Sequence, residues 1–149
     1  MYMENNDTLT MLEIKRTIGA EKQRVFDALT QPDIMAKWFF GMEGGSAKVE
    51  SDFRVGGKYA IYMYDAEGKE EGCAKHEPHG EYLEIDEPDR LAFTWISEGF
   101  VDYSVVTIEL REAGEATELI LKHELPEAVV EPHTQGWNAC LGNLASVFG

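Results

Sequence analysis

Imidazole is the side chain best matched to acid–base work near neutrality, and this chain has four histidines. Thr117, Leu119, Leu121, His123 and Leu125 fall on one face of an alternating stretch, with Glu118, Lys122 and Glu124 on the other. If the leucines face an interior, His123 does too. His133 reaches the same interior from the apolar stripe of the last helical segment. Two imidazoles there can hydrogen-bond a polar group on an apolar ligand, or serve as acid and base in a cyclase- or hydratase-like reaction. Each can equally satisfy a nearby loop carbonyl. His76 and His79 flank Glu77 with H-x-x-H spacing at a loop-to-strand boundary, but a further histidine, His123, would have to come from elsewhere, and no metal is expected. Ser104 lies on a strand with no histidine at a recognisable relation, and no G-x-S-x-G is present, so no catalytic residue is assigned. Arg54 with Gly56-Gly57 is not a phosphate loop; the glycines suit a turn into the next strand. No cofactor is expected.

The aromatic residues say more. Trp38 and Phe39 on a short helix, Tyr59, Ile61 and Met63 on one strand, Phe93 and Trp95 on another, Tyr103 and Val105 on a third, and Trp137 on the last helix can converge. Such residues usually make core. A wall of Trp, Tyr and Met around a few polar handles also suits a small-molecule site. The residues assigned to its lining are Trp38, Met63, Tyr82, Trp95, Tyr103, His123, His133, Trp137 and Leu141.

These side chains are positioned by a simple succession of elements. Residues 1–8 are polar and expected to be frayed, and 9–149 read as one domain. Leu9 to Ile18 reads as a strand, and Ala20 to Thr30 switches to helical period, with Val25, Phe26 and Leu29 on one face. Pro32 opens a second short helix that pairs Ile34 with Trp38 and Met35 with Phe39 one turn apart, until Gly41, Gly44 and Gly45 open a loop. Short strands follow near Lys48 to Glu50, then at Lys58 to Tyr64, His79 to Ile85, Arg90 to Ile96, Asp102 to Leu110 and Thr117 to His123. Turns such as Asp65 to Gly68 separate them, so the spacing predicts an antiparallel meander. Pro126 closes the sheet and Pro132 opens a helix to about Phe148, with His133, Trp137, Cys140, Leu141, Leu144 and Phe148 in one stripe. Gly136 and Gly142 within it suggest close backbone approach to a neighbour or plain tolerance. The sheet needs a cover for its apolar face, and this helix is the element long enough to provide it. A strongly curved sheet gripping one helix leaves volume unfilled, hence an expected cavity.

Four segments carry a resemblance. IGAEKQRVFDALTQPDIMAKW (Ile18 to Trp38), FRVGGKY (Phe53 to Tyr59), HGEYLEIDEPDRLAFTW (His79 to Trp95) and HTQGW (His133 to Trp137) occur in order. Together they resemble the family homologous to the activator of the ninety-kilodalton heat-shock chaperone's ATPase, within the START-like (SRPBCC, helix-grip) superfamily. The resemblance implies an α+β helix-grip fold: a curved antiparallel sheet of six to seven strands wrapped around the long C-terminal helix, with two short helices after strand 1. It leaves activity open, since the superfold serves lipid and hormone binders, cyclases and chaperone partners alike.

Charge narrows the partners. The chain has 149 residues, with 13 basic against 28 acidic ones for a net charge of −15, which opposes nucleic acid and anionic membrane surfaces alike. Two cysteines, Cys73 and Cys140, without paired spacing fit a reducing compartment, and a polar N-terminus fits the cytoplasm. The leading expectation is a binding protein for a small apolar or lipid-like molecule, monomeric or homodimeric. The alternatives are a chaperone-associated module of the stress response, implied by the resemblance, and an enzyme using a pocket histidine.

Overall fold

The computed structural model describes residues 8–40, 45–64, 78–97 and 101–148. Strand β1 (Leu9–Ile18) leads into helices α1 (Lys22–Thr30) and α2 (Pro32–Met35). Strands β2 (Ser46–Ser51), β3 (Lys58–Tyr64), β4 (His79–Asp86), β5 (Arg90–Ser97), β6 (Val101–Ala113) and β7 (Ala116–Pro126) follow. One 3-10 turn (Glu127–Val129) then joins β7 to helix α3 (Val130–Val147). The seven strands form one sheet in the order β1-β7-β6-β5-β4-β3-β2, antiparallel at every junction. First and last strands pair, so α1 and α2 carry the chain from one edge of the sheet to the other. This is the helix-grip architecture implied by the four-segment resemblance, with α3 against the concave face.

Alternation fixes which way each strand faces. On β7, Thr117, Leu119, Leu121, His123 and Leu125 are all fully buried, while Lys122 and Glu124 are exposed. Leu12, Ile14 and Ile18 of β1 and Leu91, Phe93 and Trp95 of β5 complete much of the same inner face. On β6 the inward residues are Ser104, Val106, Ile108 and Leu110. That phase corrects the assignment of Tyr103, which lies on the outer face at 64% exposure and cannot line the interior. Its apolar ring suggested an inward residue, whereas the polar Ser104 beside it is the buried one.

α2 is also shorter than the sequence pattern predicts. It stops at Met35, and the chain continues in turns through Trp38. Met35 and Phe39 nonetheless stay one turn apart, because the Phe39 N–H donates to the Met35 carbonyl at 2.9 Å. On α3, Trp137, Cys140, Leu141 and Leu144 are buried as the stripe requires. The two helix glycines reflect tolerance. A Cβ on Gly136 would meet nothing within 4 Å, and one on Gly142 would meet only an Arg16 guanidinium nitrogen at 3.6 Å. Real close approach occurs at Gly80, where a Cβ would lie 2.0 Å from the Thr94 carbonyl oxygen, and at Gly57, 1.9 Å from that of Asp52. Gly56, at φ +86°, supplies the left-handed turn before β3.

Cys73, His76, Glu77, the Asp65 to Gly68 turn, and Gly41 and Gly44 of the glycine loop lie outside the described residues. Among the described residues no three His, Cys, Asp or Glu side chains converge as a metal site, and no helix is long and apolar enough to cross a membrane.

Candidate functional site

The centre of the grip is a polar chain embedded in rings. Trp137 on α3 donates its indole N–H to Nδ1 of His123 at 3.1 Å. A nitrogen that accepts cannot carry the proton, so the neutral imidazole bears its hydrogen on Nε2. That Nε2–H donates to Ser104 Oγ at 2.8 Å, and the Ser104 hydroxyl donates onward to the Trp95 carbonyl at 2.8 Å. Every member is matched. Burial, and secondarily the nearby His133 imidazole, push the His123 pKa down to about 3.

This arrangement answers the catalytic question for the pair. No spacing on either strand hints that Ser104 meets a histidine; the β5–β6–β7 register brings them together across neighbouring strands. A nucleophilic serine must give its proton to the imidazole, yet here the imidazole donates to the serine and the serine donates to a carbonyl. Ser104 is buried at 5% exposure. The pair is a structural link between strands and helix. His133 is similarly occupied: its Nδ1–H donates to the Val129 carbonyl at 2.8 Å, the carbonyl role foreseen for it. Burial lowers its pKa, opposed in part by that bond. The two imidazoles meet edge to face, 5.5 Å between centroids.

Below this chain lies an apolar void bounded by Trp38, Phe39, Tyr82, Trp137 and Leu141, with Leu29, Met35 and Ile108 among its other walls. Its volume is about 20 Å3, room for roughly one water molecule. A site for a drug-sized molecule runs to about 300 Å3 or more. Among the described residues, the expected cavity between α3 and the sheet is this small void, with the protein's own rings packed around it. Phe39 is packed against Trp38, Trp95 and Trp137 at centroid distances of 4.7, 6.0 and 5.6 Å.

Four of the nine assigned residues, Trp38, Tyr82, Trp137 and Leu141, line this void. Trp95 and His123 stand behind it, in ring contact with Trp137. Met63 is half-buried at the margin of the core and His133 is at the His123 end, while Tyr103 is outside. Phe39, outside the nine assigned residues, lines the void too, and its i+4 relation to Met35 is the signal that points to it. One polar atom remains unmatched. Among the described residues, the Trp95 indole Nε1–H is the one buried side-chain nitrogen or oxygen without a hydrogen-bond partner. Trp38, by contrast, donates its indole N–H to the Ala28 carbonyl at 2.8 Å.

The family model for Activator of Hsp90 ATPase homolog 1-like protein matches residues 20–149. The chain belongs to this family. Protein CV1439 from Chromobacterium violaceum is 29% identical with a TM-score of 0.79, over 93% of this chain and 96% of its own. CalU16 from Micromonospora echinospora is 26% identical with a TM-score of 0.73, over 93% of this chain and 76% of its own. PFC0360w, an HSP90 activator from Plasmodium falciparum, shares the fold at 23% identity and a TM-score of 0.71, over 92% and 94% of the two chains. No curated protein matches the sequence significantly.

Proposed function

We propose that this chain binds a small, largely apolar molecule between α3 and the inner face of the sheet. The observation that carries the reading is the Trp95 indole N–H, buried without an acceptor while, among the described residues, the other buried side-chain donors and acceptors are matched. An unmet donor in a low-dielectric interior costs roughly 1–3 kcal/mol, which a bound acceptor recovers. The void, from which Trp95 is separated by Trp137, is walled by apolar and aromatic side chains, so the rest of such a ligand is apolar. Because the void is small, binding requires side chains to move, and apparent affinity is reduced by the rarity of the open state. The test is to titrate fatty acids, sterols and aromatic compounds while following the Trp95 indole N–H resonance, with native mass spectrometry for co-purifying mass. A resonance that no compound class moves, with no bound mass, removes the reading.

A second reading has its own support. Leu9, Met11 and Tyr103 are large apolar residues exposed on the outer sheet face, in a chain of net charge −15. The fold is that of a Plasmodium HSP90 activator. A chaperone-docking module would use such a face. Stimulation of the chaperone ATPase at low salt, where charge contacts are strongest, supports it, and its absence there counts against it.

A further inference from the structure

We infer that residues 32–40 form a lid hinged on α1 and latched to α3 by Asn143, and that an apolar guest enters the grip where this lid lifts. As an entrance the lid rests on the ligand-binding reading and deepens it; as a motion it is measurable without any ligand. Three side chains of the void's wall, Met35, Trp38 and Phe39, belong to this one short stretch. Its backbone is bonded to itself. The Ile34 and Met35 N–H groups donate to the Gln31 carbonyl, and those of Ala36 and Lys37 donate to the Pro32 and Ile34 carbonyls. Those of Trp38 and Phe39 donate to Met35, and that of Phe40 donates to Trp38. Among the described residues, no backbone hydrogen bond ties the stretch to the sheet or to α3. Such a segment can move as one piece while the ladders around it hold.

The side-chain tethers divide by side. Toward α1, the Trp38 indole N–H donates to the Ala28 carbonyl at 2.8 Å. Gln31, extended at φ −87° and ψ 121°, breaks the chain between α1 and α2 on that same side. Toward α3, one amide does the holding: Asn143 Nδ2 donates to the Trp38 and Phe40 carbonyls at 3.3 and 3.0 Å. The Cys140 thiol, one turn earlier on α3, adds a weak contact to the Phe40 carbonyl at 3.6 Å. Gln31 is therefore the hinge and Asn143 the latch. α3 is not the moving part, because Trp137 bonds His123 and both Leu141 and Leu144 are fully buried. Lifting the lid parts Phe39 from Trp137, 5.6 Å away between ring centroids, and widens the void beside Trp137 and Leu141. A guest in that space meets apolar and aromatic walls, so it is uncharged and largely apolar.

Cys140 reports the motion. Its side chain is buried at 4% exposure and lies against the lid, so labelling its thiol requires an opening. In a Cys73→Ser background it is the single thiol, and its reaction with methyl methanethiosulfonate is followed by mass spectrometry at increasing urea. The labelling rate should depend on urea far less steeply than global unfolding does, the mark of a sub-global opening. Asn143→Ala should raise that rate at least about tenfold without urea. Leu125→Ala, which weakens the end of β7 instead, should leave it within about twofold. If Asn143→Ala fails to fold, Asn143→Ser makes the same comparison. Indane, an uncharged apolar probe, should bind Asn143→Ala roughly fivefold more tightly than the wild type in calorimetry, because the open state is less rare. Equal indane affinity in the two proteins overturns the lid as the entrance. Labelling that tracks global unfolding in both proteins removes the lid altogether, and indane bound by the wild type then leaves the binding reading standing. Sub-global labelling speeded by Asn143→Ala, with no compound bound by either protein, keeps the lid as a motion and removes the binding reading.

Discussion

Trp137 and His123 are joined by a single 3.1 Å hydrogen bond, indole N–H to Nδ1, and that bond fixes the imidazole as a neutral Nε2–H tautomer. Protonating Nδ1 would place an N–H against the indole N–H inside a closed core. The folded protein therefore resists the proton.

The resistance has a sign and a window. An unfolded imidazole titrates near 6.5, and His123 in the fold is pushed down to about 3. Between those values the unfolded chain takes up a proton that the folded one refuses. Stability is fully present above pH 6.5 and drains away as pH falls. By pH 4.5 the His123 contribution to that loss is about 2–3 kcal/mol. His133, also lowered by burial, acts in the same direction. Urea midpoints from pH 7 to 4.5 should record the fall, and His123→Gln, which keeps an acceptor and a donor but no titration, should flatten it. Parallel slopes for the two proteins would show that His123 does not carry the effect.

Removing Trp137 takes away both the donor to His123 and a ring packed on Phe39 and Trp95, at 4% exposure. Trp137→Ala should cost about 3–5 kcal/mol in chemical denaturation. Trp137→Phe, which keeps a ring but leaves His123 Nδ1 without its donor, should cost about 1–3 kcal/mol. A loss below about 1 kcal/mol for the alanine variant would contradict its place at the centre of the grip.

Why some of this was legible in sequence and some was not comes down to register. On β7 the pattern from Thr117 to Leu125 is strict enough that the inward face, His123 included, follows from the residues alone. The α3 stripe through Trp137, Leu141 and Leu144 is equally plain. β6 misleads because its outer face carries Tyr103 and Val105, while the inner face includes a serine tolerated there only because His123 and the Trp95 carbonyl complete its hydrogen bonds. That partnership depends on three strands aligning, which no single strand's pattern encodes. The filling of the grip was illegible for a related reason. Whether Phe39 sits inside or out is decided by turns after a four-residue helix and by an amide a hundred positions away on α3.

The glycines divide by what surrounds them. Gly136 is a helix-interior glycine with open space at its Cβ position, so Gly136→Ala should stabilise the protein by about 0.5–1 kcal/mol through reduced freedom of the unfolded chain. Gly80→Ala should do the opposite, because the Thr94 carbonyl carbon and oxygen occupy the added methyl's place and a sheet backbone must shift. Thermal melts of the two variants should move in opposite directions. A destabilised Gly136→Ala would mean that α3 needs a glycine there for a reason the described contacts do not contain.

The last prediction separates a structural serine from a catalytic one. Ser104 receives the His123 Nε2–H and donates to the Trp95 carbonyl, so one lone pair is occupied and its proton is held by a carbonyl, not by a base that could remove it. A serine-directed fluorophosphonate should therefore leave the folded protein unlabelled, since the reagent needs an exposed hydroxyl whose proton a neighbouring base removes. Ser104→Ala should instead be felt as stability. It strips the acceptor from a buried imidazole N–H, which costs about 1–3 kcal/mol. Ser104→Thr keeps the hydroxyl and, where the extra methyl fits, should recover part of the loss. Stoichiometric labelling at Ser104, abolished by His123→Gln, would overturn the tautomer drawn here and turn the pair into a reactive one.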